Sequence, residues 1–210
     1  MPKGYWLPQI DVANMEGYKA YMAATPPAHE KYSGVGLVRG GRSEVVEGHA
    51  RSRIVIREFP TYEAALACYR SPEYQSARVK RLPHSQCDFL IAEGYDGEQP
   101  PQSGTAAAAA ARKGYWTAQI DIDDLEGYRP YLAALFNHVG RFGARYLVRA
   151  GSQEVVEGRA RSRVAVLEFP SYEAALACYR APEYQPIKKL RDGKAGIDLV
   201  VVEGHDGPKF

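Results

Sequence analysis

Apolar and polar residues alternate from Tyr5 to Val12, a stretch rich in aromatic and branched side chains, and this period of two predicts a strand. Asn14 then offers an N-cap for a helix running through Glu16, Tyr18, Tyr21 and Met22, which Pro26-Pro27 should end or kink. Val35 to Arg39, a Gly40-Gly41 turn and Glu44 to Phe59 read as a hairpin. Pro60-Thr61 opens a second helix with Thr61 as N-cap and Glu63 near the positive end of its dipole. Ser71-Pro72-Glu73 starts a further short helical turn, with proline at the first helical position, and Asp88 to Glu93 is the last strand. The order β-α-β-β-α-β is that of a ferredoxin-like unit, whose helices cover one sheet face and leave the other in need of a partner.

The same pattern then returns. Lys3-Gly4-Tyr5-Trp6 recurs as Lys113-Gly114-Tyr115-Trp116, Glu44 to Gly48 as Glu154 to Gly158, and Glu58 to Arg70 almost unchanged as Glu168 to Arg180. The offset is 110 residues throughout, no gap is needed, and about half of the paired positions are identical, which is the mark of a duplication. In the second copy Phe136-Asn137 replaces the proline pair, so its first helix should run longer, although Pro130 stands early in it. The chain therefore divides into halves 1–97 and 113–210 joined by a linker, 98–112, made of Pro100-Pro101, Ser103-Gly104 and the run Ala106 to Ala111. Tethering raises the concentration of one copy for the other, so two copies of a self-pairing domain can close on each other within one chain.

Strand parity assigns faces. In the third strand Val46, Gly48, Ala50, Ser52, Ile54 and Ile56 form a small, mostly apolar side that suits the helices, and Glu47, His49, Arg51, Arg53 and Val55 form the opposite one. The same parity puts Tyr5, Leu7, Gln9, Asp11, Leu37, Arg39, Phe89, Ile91 and Glu93 on that second side. The second copy repeats the set with Tyr115, Gln119, Asp121, Arg149, Glu157, Arg161, Arg163 and Glu203. Two such faces would stack as a charge-balanced polar layer, in which each charge must be paired. Arg39, Arg51, Arg53, Arg149, Arg161 and Arg163 are candidates to hold a carboxylate or enolate through the planar guanidinium fork. Tyr5, Tyr74, Tyr115 and Tyr184 could pack on an aromatic ligand. Asp11, Glu47, Glu93 or the Glu157 counterpart could act as a base if burial raised its pKa. The same charges serve equally well as an inter-sheet ion-pair network.

The blocks Leu37-Val38-Arg39-Gly40-Gly41, Glu47-Gly48, Glu58-Phe59-Pro60 and Tyr69 to Gln75 resemble the bacterial domain-of-unknown-function family 1330, over nearly all of each copy. The resemblance implies a dimeric α+β barrel, two ferredoxin-like sheets packed face to face, in keeping with the partner-seeking face. The chain departs from the pattern where Cys68 and Cys178 replace an aromatic residue, and where Ala181 replaces the serine before Pro182. Barrels that look related include cofactor-free monooxygenases, lactone isomerases and haem enzymes, so the fold does not select a chemistry.

Composition narrows the function only by exclusion. The 210 residues carry a net charge of +2, which favours neither nucleic acid nor an anionic membrane. No apolar run approaches the roughly 20 residues that span a bilayer, and the simplest expectation is a cytoplasmic chain. Three cysteines without CxxC spacing argue against disulfides and structural zinc. No histidine recurs at an equivalent position, which leaves His29 or His138 as a lone acid/base and gives no metal site. The basic stretches Arg78 to Arg81 and Lys188 to Arg191 read as solvated loops before the last strand. The leading expectation is a protein that binds an anionic or aromatic metabolite, with cofactor-free catalysis open. The rivals are a non-catalytic module whose charged faces hold the barrel together, and a haem-binding barrel. Pairing is expected between the two copies, with a homodimer of chains as a further step.

Overall fold

The structure is a computed structural model, and it describes residues 1–102 and 111–207. The linker's Ser103-Gly104 and all but the last residue of its alanine run lie outside the described residues. In the first half, β1 (Gly4–Val12) leads into α1 (Met15–Ala24) and α2 (Pro26–Lys31). Then come β2 (Val35–Arg39), β3 (Ser43–Glu47), β4 (Arg53–Phe59), α3 (Tyr62–Arg70), α4 (Pro72–Arg81) and β5 (Ser85–Glu93). The second half runs β6 (Gly114–Ile122), α5 (Leu125–Gly140), β7 (Arg145–Arg149), β8 (Gln153–Glu157), β9 (Arg163–Phe169), α6 (Tyr172–Arg180), α7 (Tyr184–Lys189) and β10 (Ala195–Glu203). The local signals act as expected. Asn14 accepts the N–H of Gly17 and Thr61 that of Ala64, while Pro72 begins α4. The Pro26-Pro27 pair breaks the first helix into α1 and α2, whereas α5 continues through Pro130 for 16 residues.

Two five-stranded antiparallel sheets result, ordered β2-β4-β1-β5-β8 and β3-β10-β6-β9-β7. Each half is thus ferredoxin-like, and the two pair as an α+β barrel within one chain. The expected hairpin is interrupted: β2 pairs with β4, while β3 leaves to pair with β10 of the other half, and β8 pairs with β5 in return. Gly48 and Gly158, both at positive φ, turn the chain out of each exchanged strand. Side chains of the receiving half clamp that strand. Tyr179 Oη donates to the Val46 carbonyl at 3.1 Å, Arg180 binds both carboxylate oxygens of Glu44 at 2.8 Å, and Arg191 binds Glu47. Tyr69, Arg70 and Arg81 hold Val156, Glu154 and Glu157 in the same way.

The space between the sheets is apolar, which corrects the expected polar layer. Tyr5, Leu7, Ile54, Ile56 and Leu90 meet Tyr115, Val164, Val166 and Val200 there. Strand one and the exchanged strand, where Val46 packs toward the helices, have the expected facing, but Arg39, β4 and β5 are inverted: Ile54 and Ile56 face the other sheet, and Phe89 and Ile91 pack with Trp6 under the helices. Two breaks defeat simple parity, a bulge between Gly36 and Val38 and the loop that separates β3 from β4. Charge is kept to the ends of this core: at one, Tyr5 and Tyr115 donate to Glu58 and Glu168, and at the other stands a network of arginine and aspartate. There Arg51 binds Asp88 at 2.7 Å and Asp11 at 2.9 Å, and Arg161 binds Asp198 at 2.6 Å and Asp121 at 3.0 Å.

Acid should undo this arrangement. Partial burial pushes the Asp198 carboxyl up, but Arg161 and the His49 N–H outweigh it and hold the group below its ordinary range. Burial likewise opposes ionisation of Glu168, yet Lys113 and Arg145 keep it low. Groups depressed in the folded state bind fewer protons than their unfolded counterparts, so their contribution is complete above the unfolded values near pH 4 and is lost as pH falls through the folded ones. The urea midpoint is therefore expected to be flat from about pH 5 to 8 and to drop below about pH 4. Glu168→Gln should be less stable at pH 7 but lose less on acidification, and equal slopes for the two proteins would contradict this assignment.

Candidate functional site

The largest difference between the halves lies between sheet and helices. The second half encloses a cavity of about 260 Å³ between its sheet and α5, and the first half keeps only about 60 Å³ in the equivalent place. Paired positions explain the contrast. Phe89, Val55, Arg57 and Pro8 on the first sheet stand where the second has Leu199, Ala165, Leu167 and Ala118. Each exchange removes side-chain volume from the same layer, and the shared residues do not collapse to fill it.

Trp116 closes the bottom of the larger cavity, its indole N–H donating to the Ala175 carbonyl at 2.9 Å. Tyr128, Tyr131 and Leu132 project from α5, because residues three or four apart share a helix face. Tyr131 shares a hydrogen bond with Tyr184, hydroxyl to hydroxyl at 3.0 Å. Tyr146 comes from β7, and Tyr95 enters from the first half, in the segment that follows β5. Burial raises the hydroxyl pKa of Tyr128 and Tyr131, and pushes that of Tyr146 up to about 12. All three therefore remain protonated donors at any physiological pH.

Arg149, Arg163 and Arg191 also line this cavity. The Arg149 guanidinium sits 4.8 Å from the Tyr146 ring centroid, 5.0 Å from Phe136 and 5.4 Å from Tyr95, whose hydroxyl accepts its N–H at 3.3 Å. Such a cage fixes the cation without neutralising it. Neither Arg149 nor Arg163 has a carboxylate within ion-pair distance among the described residues. Arg191 does have one, Glu47 of the exchanged strand, but its buried Nε has no protein partner. The positions equivalent to Tyr146, Phe136 and Tyr95 are Gly36, Pro26 and His205, so Arg39 lacks this aromatic setting.

The sequence-derived candidates are thus separated in space. Arg149 and Arg163 line the larger cavity, and Arg39 and Arg53 the smaller one. Arg51 and Arg161 belong to the polar end between the sheets. Tyr5 and Tyr115 are buried in the inter-sheet core and donate to Glu58 and Glu168 at 2.8 and 3.0 Å. Tyr74 and Tyr184 are fully buried behind the cavity walls. Glu47 and Glu157 hold Arg191 and Arg81 across the halves. His138 Nε2 donates to the Cys178 carbonyl at 3.0 Å, away from the cavity lining, while His29 lines the smaller cavity. Burial, then Arg57 and Arg39, push the His29 pKa down to about 2, so its ring is neutral at physiological pH.

The basic stretches are not solvated loops. Arg78 to Arg81 end a helix, Arg81 is 1% exposed and Arg191 is buried as well. Sequence reasoning misses them because a run of charges has the composition of a solvated surface. The signal available was that arginine alone survives at the same place in both runs, as Glu47 and Glu157 do in both exchanged strands.

Among the described residues no group of three His, Cys, Asp or Glu could hold a metal ion, and no helix is long and apolar enough to cross a membrane. Among the described residues no histidine, cysteine or methionine lines the larger cavity, so the commonest axial ligands of haem iron are missing there.

Solved structures share the fold across the whole chain. A candidate monooxygenase from Fusobacterium nucleatum has a TM-score of 0.56 at 13% identity, over 97% of this chain and 92% of its own. A mutant chlorite dismutase from Candidatus Nitrospira defluvii has a TM-score of 0.54 at 13% identity, over 97% and 90%. A candidate monooxygenase from Lactobacillus acidophilus has a TM-score of 0.52 at 9% identity, over 98% and 100%. At these identities the likeness shows the dimeric α+β barrel fold alone. No functionally curated protein matches the chain in sequence. A family model matches both halves, over residues 3–95 and 113–205, and the chain therefore belongs to the family described as a domain of unknown function (DUF1330).

Proposed function

We propose that the second half binds a small aromatic anion of one or two rings in the cavity beneath α5. The observation that carries this reading is Arg149, caged by three aromatic rings on the wall of an aromatic-lined cavity, with no carboxylate among the described residues to neutralise it. A volume of about 260 Å³ exceeds the roughly 150 Å³ of an engineered cavity that takes benzene. Tyr and Trp rings supply faces for stacking, tyrosine hydroxyls and the orphaned Arg191 Nε supply donors, and the guanidinium supplies charge.

The lining also limits the chemistry. Among the described residues no carboxylate, histidine, lysine or cysteine lines the cavity, so none of them takes a proton there at neutral pH. A ligand that reacts in this site must carry its own ionised centre, as a phenolate or enolate does. The fold neighbours named as monooxygenase candidates are in keeping with a small organic substrate and add no more than that.

Titration with salicylate and with its neutral amide, followed by Trp116 fluorescence, tests the proposal. Salicylate should bind saturably and the amide at least about tenfold more weakly, since a hydrogen bond to a charged group contributes about 1.5–3 kcal/mol. Arg149→Leu should remove the difference between the two. Equal affinity for acid and amide in the native protein would refute the anionic reading, and no saturable binding of either would refute the site.

A further inference from the structure

One row of paired residues crosses the second half's whole sheet: Arg149 on β7, Ala165 on β9, Ala118 on β6, Leu199 on β10 and Glu47 on the exchanged strand β3. The middle three line the larger cavity, and two of them are alanines, so the row forms a trough under α5. Arg149 lines the cavity from one end of the row. At the other end Glu47 binds Arg191, which lines the cavity as well. Neighbouring strands are about 4.8 Å apart, so the steps from Arg149 through Ala165 and Ala118 to Leu199 cover roughly 14 Å of sheet. A guanidinium thus stands at each end of an aromatic-walled trough.

The two cations differ in what they can still donate. Arg149 sits in its cage of three rings with no carboxylate within ion-pair distance among the described residues, so it suits a charged group. Arg191 is 6% exposed and already gives Nη2 to Glu47, but its buried Nε–H has no protein partner. Its guanidinium lies 5.0 Å from the centroid of the Tyr131 ring, which also lines the cavity. A buried donor without an acceptor destabilises the site, and a neutral oxygen on a ligand relieves this. Building on the aromatic-anion reading, we propose that the ligand is an elongated aryl carboxylate with a second oxygen acceptor para to the first group. Its carboxylate meets Arg149, its ring lies over Ala165 and Ala118, and its para oxygen accepts from Arg191 Nε.

The first half supplies the contrast. Its equivalent positions are Arg39, Val55, Pro8, Phe89 and Glu157, whose bulkier central side chains fill the trough. Arg81, the counterpart of Arg191, has the same bare Nε, yet it does not line the smaller cavity. The arginine at this place is common to both copies, and only the second copy opens it to a ligand. Because Glu47 belongs to the first half's chain and holds Arg191, the far end of the site is set by the strand exchange.

Calorimetric titration of the full chain with 4-hydroxybenzoate and with 4-methylbenzoate tests this. The two have the same outline, and only the first carries the para acceptor. 4-Hydroxybenzoate should bind at least about tenfold more tightly, the effect of one hydrogen bond to a charged donor. Arg191→Lys keeps a cation for Glu47 but loses the Nε–H, and it should bring the two ligands to equal affinity. Salicylate, whose hydroxyl stands beside its carboxylate, should bind this variant as it binds the native chain. If Arg191→Lys does not fold, Arg191→Met with Glu47→Leu removes the donor and its partner together and should give the same equality. Equal affinity of the two para ligands in the native chain, or a preference that survives the loss of Arg191, would overturn the proposal. Salicylate binding retained beside that equality leaves the aromatic-anion reading standing and removes the second contact alone, whereas loss of all three ligands removes both.

Discussion

Glu157→Gln is expected to cost the protein about 3–5 kcal/mol, the usual consequence of stripping a buried charge of its partner. Arg81 is 1% exposed and lies 2.6 Å from Glu157, whose side chain is 8% exposed and also meets Arg78 at 3.1 Å. Glutamine keeps the shape but leaves the buried guanidinium uncompensated. For a chain of this size the loss corresponds to a fall in Tm of about 10 °C. Glu47→Gln removes the equivalent partner of Arg191 and should behave alike. The two sites lie on different exchanged strands and share no partner, so their effects should add and consume most of a stability of about 5–15 kcal/mol.

The control is to remove both charges. Arg81→Met with Glu157→Leu should recover most of the loss, because a well-packed apolar pair often matches or exceeds a buried ion pair. Urea denaturation of the single and double variants makes the comparison. A loss below about 1 kcal/mol for Glu157→Gln would mean that the pair behaves as a surface salt bridge and does not lock the exchanged strand. Amide exchange along β8 adds a local reading, since its ladder to β5 should open first when Glu157 is lost.

The exchange of β3 and β8 is also where the sequence was least legible. Alternation, caps and turns placed the helices and most strands, because Asn14, Thr61 and Pro72 act on their own neighbours. Where a strand goes is decided by partners more than a hundred residues away, such as Tyr179 for Val46 and Arg180 for Glu44. Local pattern carries no such information. The face assignment failed for a related reason. It took acids and arginines near the third strand as an interlayer, whereas Glu47 lies on the exchanged strand, Arg51 in the loop and Arg53 beneath the helices. Arg39, Arg149 and Arg163 were visible as candidates by residue type, and the structure puts them at cavity walls. The cage around Arg149 was not visible, since Tyr95, Phe136 and Tyr146 come from three separate segments. The duplication itself held one usable signal: a site that differs between copies shows up as paired positions that change size together, as Phe89 and Leu199 do with Val55 and Ala165.

That signal yields the largest expected effect on binding. Leu199→Phe with Ala165→Val copies the first half into the second, at positions where the same repeat already accommodates the larger side chains. Both residues line the cavity, so the double variant should fill part of its volume of about 260 Å³. Overpacking a filled core usually costs about 1–3 kcal/mol, but here the added atoms enter a void, and filling a cavity recovers about 24 cal/mol per Å³. The variant should therefore unfold at the same temperature as the native chain or a few degrees higher, while salicylate binding falls at least about thirtyfold. A loss of binding with retained stability separates exclusion of the ligand from damage to the fold. Unchanged affinity would place the ligand elsewhere, and a large fall in Tm would show that the second half's backbone has diverged enough that its cavity is not a vacancy its sister's side chains can occupy.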